Sequence, residues 1–118
     1  TLVETAISGN PSLFLGTDSA PHPTHAKYGK DAKAGIFNAA YGLEVIAEIF
    51  AAENKLENLA AFTSVNGSIF YGYEPSQENI SLHRSSIDPE KATHISTENG
   101  NQVVLFGAEE ASQWTIST

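Results

Sequence analysis

Apolar positions along the chain change period several times, and the changes mark the elements. Leu2, Val3, Ala6 and Ile7 recur at helical spacing, and Gly9-Asn10-Pro11 supplies a stop, so residues 1–10 read as the end of a helix. Ser12-Leu13-Phe14-Leu15-Gly16-Thr17 is a short, nearly continuous apolar run behind a proline. Such a run suits a strand buried on both faces, as in a parallel sheet. Helix, glycine turn and buried strand together make half of a βαβ crossover, whose sheet partners must come from elsewhere.

Residues 18–36 hold two prolines, two glycines and many polar side chains, and read as a loop too long for an idle connection. Phe37 to Glu53 reads as an amphipathic helix. Leu43, Ile46, Ala47 and Phe50 fall on one face, Asn38 is placed as its N-cap and Asn54 as its stop. A shorter helix is expected over Glu57–Phe62, then a turn at Asn66-Gly67, then an aromatic pair, Phe70-Tyr71, packed in the core. In the last third Ile80–His83 alternates, and Asn99-Gly100 between His94–Glu98 and Gln102–Phe106 is a hairpin signal. Gln113–Ser117 reads as a further strand holding Trp114. Residues 78–118 are therefore expected to form a small β-rich extension.

Composition narrows the partners. The 118 residues include 14 acidic and 6 basic side chains, a net charge of −8. With no excess of Lys and Arg to displace counterions, nucleic acid is excluded as a partner. The same charge repels anionic membranes, and no apolar run approaches the ~18 residues that would span a bilayer. Zero Cys removes disulfides and thiolate chemistry and fits a cytoplasmic protein. A chain opening at Thr1 without Met reads as part of a longer product.

The sharpest chemical feature is Gly16-Thr17-Asp18-Ser19-Ala20-Pro21-His22, at the carboxyl end of the expected strand. In parallel α/β architectures catalytic side chains sit at that end. A carboxylate there can ligate a metal or exchange a proton with an attacking water. A nearby His can bind an anionic substrate group. The competing reading makes Asp18 a turn cap and His22 surface decoration. His22-Pro23-Thr24-His25 has the spacing of a two-ligand zinc element, but no further ligands follow at set spacing. His83 and His94 fall on exposed strand positions. Lys27, Lys30 and Lys33 read as the cations of a solvated loop, and Ala34-Gly35 as a small pair that lets backbone approach a ligand or completes a turn.

Phe14–His22, then Ala34-Gly35-Ile36-Phe37-Asn38-Ala39, then Ser64-Val65-Asn66-Gly67 with Phe70-Tyr71-Gly72 resemble, in order, the C-terminal third of the bacterial-type (class II) dihydroorotases, members of the metal-dependent amidohydrolase superfamily. The resemblance is strong to about Gly72. It continues weakly beyond, where Phe106 to Trp114 looks like the closing strands. Pro23 to Lys33 departs most, since relatives often carry Cys there.

The resemblance implies an α/β fold: residues 1–77 as the end of a (β/α)8 TIM barrel, with its last strand, long loop and last helices, and residues 78–118 as the β-rich extension. As given, the barrel is incomplete. The implied reaction is the reversible cyclisation of N-carbamoyl-L-aspartate to L-dihydroorotate in pyrimidine biosynthesis, at two zinc ions. Asp18 matches the carboxylate that ligates zinc and exchanges a proton with the bridging water. His22 matches the side chain holding the substrate carboxylate, and Ala34 a backbone contact to substrate. Thr17 and Ser19 are expected to orient the strand end. The other zinc ligands of the family lie upstream of this chain, and no His-x-His occurs in it. Alone, then, the chain is expected to retain no zinc and to turn nothing over. Its expected partners are the small-molecule substrate, the missing N-terminal part of the barrel and further copies in a homo-oligomer. Two alternatives are another cyclic-amide hydrolase, dihydropyrimidinase-like, which Ser19 and the Asn66-Gly67 motif speak against, and a non-catalytic self-associating module.

Overall fold

In the computed structural model of the chain, residues 1–85, 90–111 and 113–118 are described. Helix α1 (Leu2–Ala6) opens the chain behind a capping box, in which the Thr1 hydroxyl accepts from the Glu4 amide and the Glu4 carboxylate reaches back. The Thr1 ammonium, and next its hydroxyl, hold the Glu4 carboxyl below its usual value. Asn58 Nδ2 donates to the Ile7 carbonyl at 2.8 Å, satisfying an acceptor that the helix end leaves free.

The expected strand over Ser12–Thr17 has no ladder partner, and no strand is formed there. The physical reason is that a parallel strand exists only through its neighbours, and the described residues supply none. What holds the segment instead is a pair of backbone bonds, Leu13 N–H to the Asn10 carbonyl at 3.0 Å and Leu15 N–H to the Phe62 carbonyl at 2.9 Å, together with side chains. Asn66 Nδ2 donates to the Leu13 carbonyl at 2.9 Å and lies 3.4 Å from that of Asn10.

Helix α2 (Thr24–Lys27) is a single turn inside the long loop. The main helix, α3 (Gly42–Ala52), starts behind Tyr41, not Asn38, because the Asn38 side chain is drawn away to the Thr17 carbonyl. The stop at Asn54 is observed: this residue takes a left-handed φ of 54°, which asparagine tolerates. The short helix expected at 57–62 is present but irregular and longer: a 3₁₀ turn (Leu56–Asn58) passes through α-helical residues 59–60 into a π-helical turn (Ala61–Val65), which runs on into α4 (Asn66–Phe70). Asn66-Gly67 is thus helical and makes no turn. Gly67 serves packing, since a Cβ there would meet Phe14 Cδ2 at 3.2 Å.

The last third carries β1 (Ser81–Arg84), β2 (His94–Ser96), β3 (Gln102–Val104) and β4 (Trp114–Ser117). They pair as two separate antiparallel ribbons, β1 with β4 and β2 with β3. Gly100, at φ 76°, turns the second as its Asn-Gly signal requires. In Phe106–Trp114, residues 106–111 are turns and the strand begins only at Trp114, with Ser112 outside the described residues.

The core gathers Ala47 and Phe50 from α3 with Val103, Leu105, Ala108, Ala111 and Trp114 from the last third. Phe62 lies 5.5 Å from the Phe50 ring. Contrary to the sequence expectation, Phe70 and Tyr71 are not core: they are 69% and 66% exposed. They form an open aromatic cluster with Phe14, at 5.0–5.8 Å between ring centroids. Two polar anchors tie α3 to the β-ribbons. Glu48 accepts from Trp114 Nε1 at 2.6 Å and from Arg84 at 2.9 Å. Glu44, 5% exposed, faces Lys91 at 3.7 Å.

The chain exposes 8194 Å². A self-contained protein of this mass exposes roughly 6,200 Å². Its radius of gyration, 15.9 Å, likewise exceeds the about 13.5 Å expected of a compact domain of this length.

Candidate functional site

Asp18 stands at the end of the 13–17 segment, exposed, with a left-handed φ of 44°. Asp and Asn enter that region at lower cost than other residues with side chains, because their short polar groups relieve it. Even so, the conformation costs about 1 kcal/mol or more and persists only where the surroundings over-determine it.

Those surroundings are residues 35–38. Ala20 N–H donates to the Ile36 carbonyl at 2.8 Å. Asn38 Nδ2 donates to the Thr17 carbonyl at 3.0 Å, and Asn38 N–H reaches Ser19 Oγ at 3.3 Å. The approach is close enough to demand glycine: at Gly35, φ 106°, a Cβ would sit 2.6 Å from the Ala20 Cβ. The loop carrying Asp18 and His22 is therefore bonded to the stretch carrying Ala34, although sixteen residues separate Asp18 from Ala34. Thr17 lends its backbone carbonyl and Ser19 its hydroxyl to this clamp.

The far part of the loop is fastened to the second β-ribbon. Pro23 bridges Val103, and Thr24 Oγ1 donates to the Gln102 carbonyl at 2.8 Å. Lys33 N–H closes the loop onto the Ala26 carbonyl at 2.9 Å, and Phe106 N–H donates to the Phe37 carbonyl at 2.9 Å. The hairpin is thus a wall behind the loop.

His22 is half-buried, whereas His25 and Ala34 are exposed. Among the described residues neither the Asp18 carboxylate nor the His22 ring has a hydrogen-bond or ion-pair partner, so both are free to meet a ligand. No group of three or more His, Cys, Asp or Glu able to hold a metal occurs among the described residues. His83 and His94 are exposed on β1 and β2, with hydrogen bonds to Ser117 and Thr93 respectively. The residue that sequence reasoning misassigned is Asn38. Its place just after Ala34-Gly35, inside the same motif, was the available signal.

No family model matches the chain. It is 43% identical over 116 residues to the dihydroorotase of Vibrio parahaemolyticus and 44% over 117 residues to that of Aliivibrio fischeri. Each alignment covers 98% of this chain and 33% of the relative. Among solved structures, the dihydroorotase of Saccharomyces cerevisiae in complex with 5-fluoroorotic acid superposes with a TM-score of 0.85 at 30% identity. That match covers 98% of this chain and 33% of the yeast protein. The Campylobacter jejuni dihydroorotase gives 0.78, also at 30% identity, over 99% of this chain and 32% of that protein. The chain spans about a third of the length of the curated relatives it matches. By sequence and by fold alike, it belongs to the dihydroorotase family, as a C-terminal portion of such a protein.

Proposed function

We propose that the protein carrying this segment is a zinc-dependent dihydroorotase of the bacterial-type (class II) group, acting in pyrimidine biosynthesis in the cytoplasm. It interconverts N-carbamoyl-L-aspartate and L-dihydroorotate. The observation that carries this reading is similarity to dihydroorotases at about 40% identity along 98% of the chain. In this reading residues 1–77 complete a (β/α)8 barrel and residues 78–118 form its β-rich extension. The surface in excess of a compact domain, with the open Phe14, Phe70 and Tyr71 cluster, supports contact with the remaining two-thirds of the barrel. The assembled enzyme is read as a homo-oligomer.

Ring opening adds water across the amide C–N bond. Asp18, at the strand end, accepts the proton of the attacking water and returns it to the leaving ring nitrogen, which regenerates the carboxylate. His22 holds the substrate carboxylate from the same loop, and the backbone at Ala34, brought alongside by the 35–38 clamp, fixes the other side of the substrate. The donors of this chain do not fit a metal centre on their own: the reading assigns them one ligand, Asp18, and no converging set of three exists among the described residues.

The test is made in the whole protein. Asp18→Asn keeps the size and the tolerance of a left-handed φ but loses the base. It is expected to lower kcat for dihydroorotate hydrolysis by roughly 10²–10⁴-fold with KM little changed. His22→Ala is expected to act mainly on KM. Retention of wild-type kcat by Asp18→Asn refutes the reading, as does turnover of dihydroorotate by the 118-residue chain alone.

A further inference from the structure

We infer that Asn38 is the positioning residue of this site, the side chain that sets the backbone of Asp18; the inference rests on the catalytic role proposed for Asp18. Three observations converge on it. Asn38 spans the residue, with its amide nitrogen on the Thr17 carbonyl at 3.0 Å and its backbone N–H on Ser19 Oγ at 3.3 Å. Asp18, between those two contacts, holds the left-handed φ of 44° that an unbraced loop residue would relax. The amide orientation is unambiguous, because a carbonyl accepts only from the nitrogen side.

The third observation is a cost. Asn38 Oδ1 is buried and has no hydrogen-bond partner among the described residues. A buried, unpaired amide oxygen is unfavourable, and native chains keep few of them. A helix cap needs no such arrangement, and α3 begins four residues later without any help from this side chain. Asn38 also lines, with Leu15, Gly16, Thr17 and Phe106, a small cavity of about 110 Å³ between the 13–17 segment and α3. It sits where the end of the 13–17 segment, the entry to α3 and the Ala34 stretch meet, so one side chain fixes Asp18 relative to Ala34.

Asn66 provides the matched control. It braces the opposite end of the same segment, through the Leu13 carbonyl at 2.9 Å, five residues before Asp18. In the whole protein, Asn38→Ala and Asn66→Ala are both expected to lower the thermal midpoint. Only Asn38→Ala is expected to lower kcat, by roughly 10- to 100-fold, with KM within about threefold, as for a displaced catalytic group. Equal kcat losses in the two variants, or an unchanged kcat in Asn38→Ala, overturn the inference while Asp18→Asn remains inactive. An active Asp18→Asn overturns the catalytic reading beneath it instead. Should Asn38→Ala not fold, Asn38→Leu decides: it fills nearly the same volume, removes the amide donor to the Thr17 carbonyl and leaves no buried unpaired oxygen. A severalfold fall in its kcat supports the inference, and a wild-type value overturns it.

Discussion

Lys91→Met is the perturbation whose size the structure defines best. Lys91 Nζ donates to the Trp114 carbonyl at 2.8 Å, lies 5.0 Å above the Tyr41 ring and faces the Glu44 carboxylate at 3.7 Å. Its side chain is 10% exposed and that of Glu44 is 7% exposed, so this pair is desolvated, unlike the exposed pair of Lys55 with Glu57. Breaking a buried pair from one side costs roughly 3–5 kcal/mol, chiefly because the remaining charge stays buried. The 3.7 Å separation exceeds a hydrogen bond, which puts the carboxylate's share at the low end. Loss of the charged hydrogen bond to Trp114 adds about 1.5–3 kcal/mol, partly the same free energy counted again. We expect about 3 kcal/mol for Lys91→Met. The double variant Lys91→Met/Glu44→Leu removes the stranded charge and should recover about 2 kcal/mol of this. Urea unfolding of the chain, followed by the fluorescence of Trp114, its single tryptophan, measures both. With m of about 1.5 kcal/mol per M, the single variant shifts the midpoint by about 2 M. A loss under 1 kcal/mol, or a double variant less stable than Lys91→Met, refutes the claim that burial sets the magnitude.

Two further outcomes follow from the packing. Gly35→Ala combines a φ of 106° with a 2.6 Å approach to Ala20, so it should cost about 2–3 kcal/mol in a thermal or urea melt and raise KM for dihydroorotate in the whole protein; a neutral substitution would show that the 35–38 clamp is not close-packed. The isolated chain should self-associate through Phe14, Phe70 and Tyr71, and light scattering of Phe70→Ser/Tyr71→Ser should show a smaller species. A compact wild-type monomer at high concentration counts against this.

The amino-acid sequence by itself determined what depends on local period and local chemistry. The apolar face of α3, the Asn54 stop, the Asn-Gly hairpin and the strand around Trp114 are all written in residues a few positions apart, where i, i+3, i+4 spacing or alternation suffices. The Gly16–His22 motif was equally legible, because its residue types and their place after an apolar run sit in one short stretch. Tertiary structure alone decided what depends on partners far along the chain. Leu13–Leu15 has strand composition yet forms no strand, since a ladder needs neighbours. Glu44 and Glu48 sit among α3's polar positions, yet Lys91, Arg84 and Trp114 draw them inward to join the helix to the ribbons. Asn38 and Asn66 carry cap and turn signals that hold in isolation, but a carbonyl from another segment competes for each side chain and wins. Asn38 clamps Thr17 from twenty-one residues away, a distance no local pattern encodes.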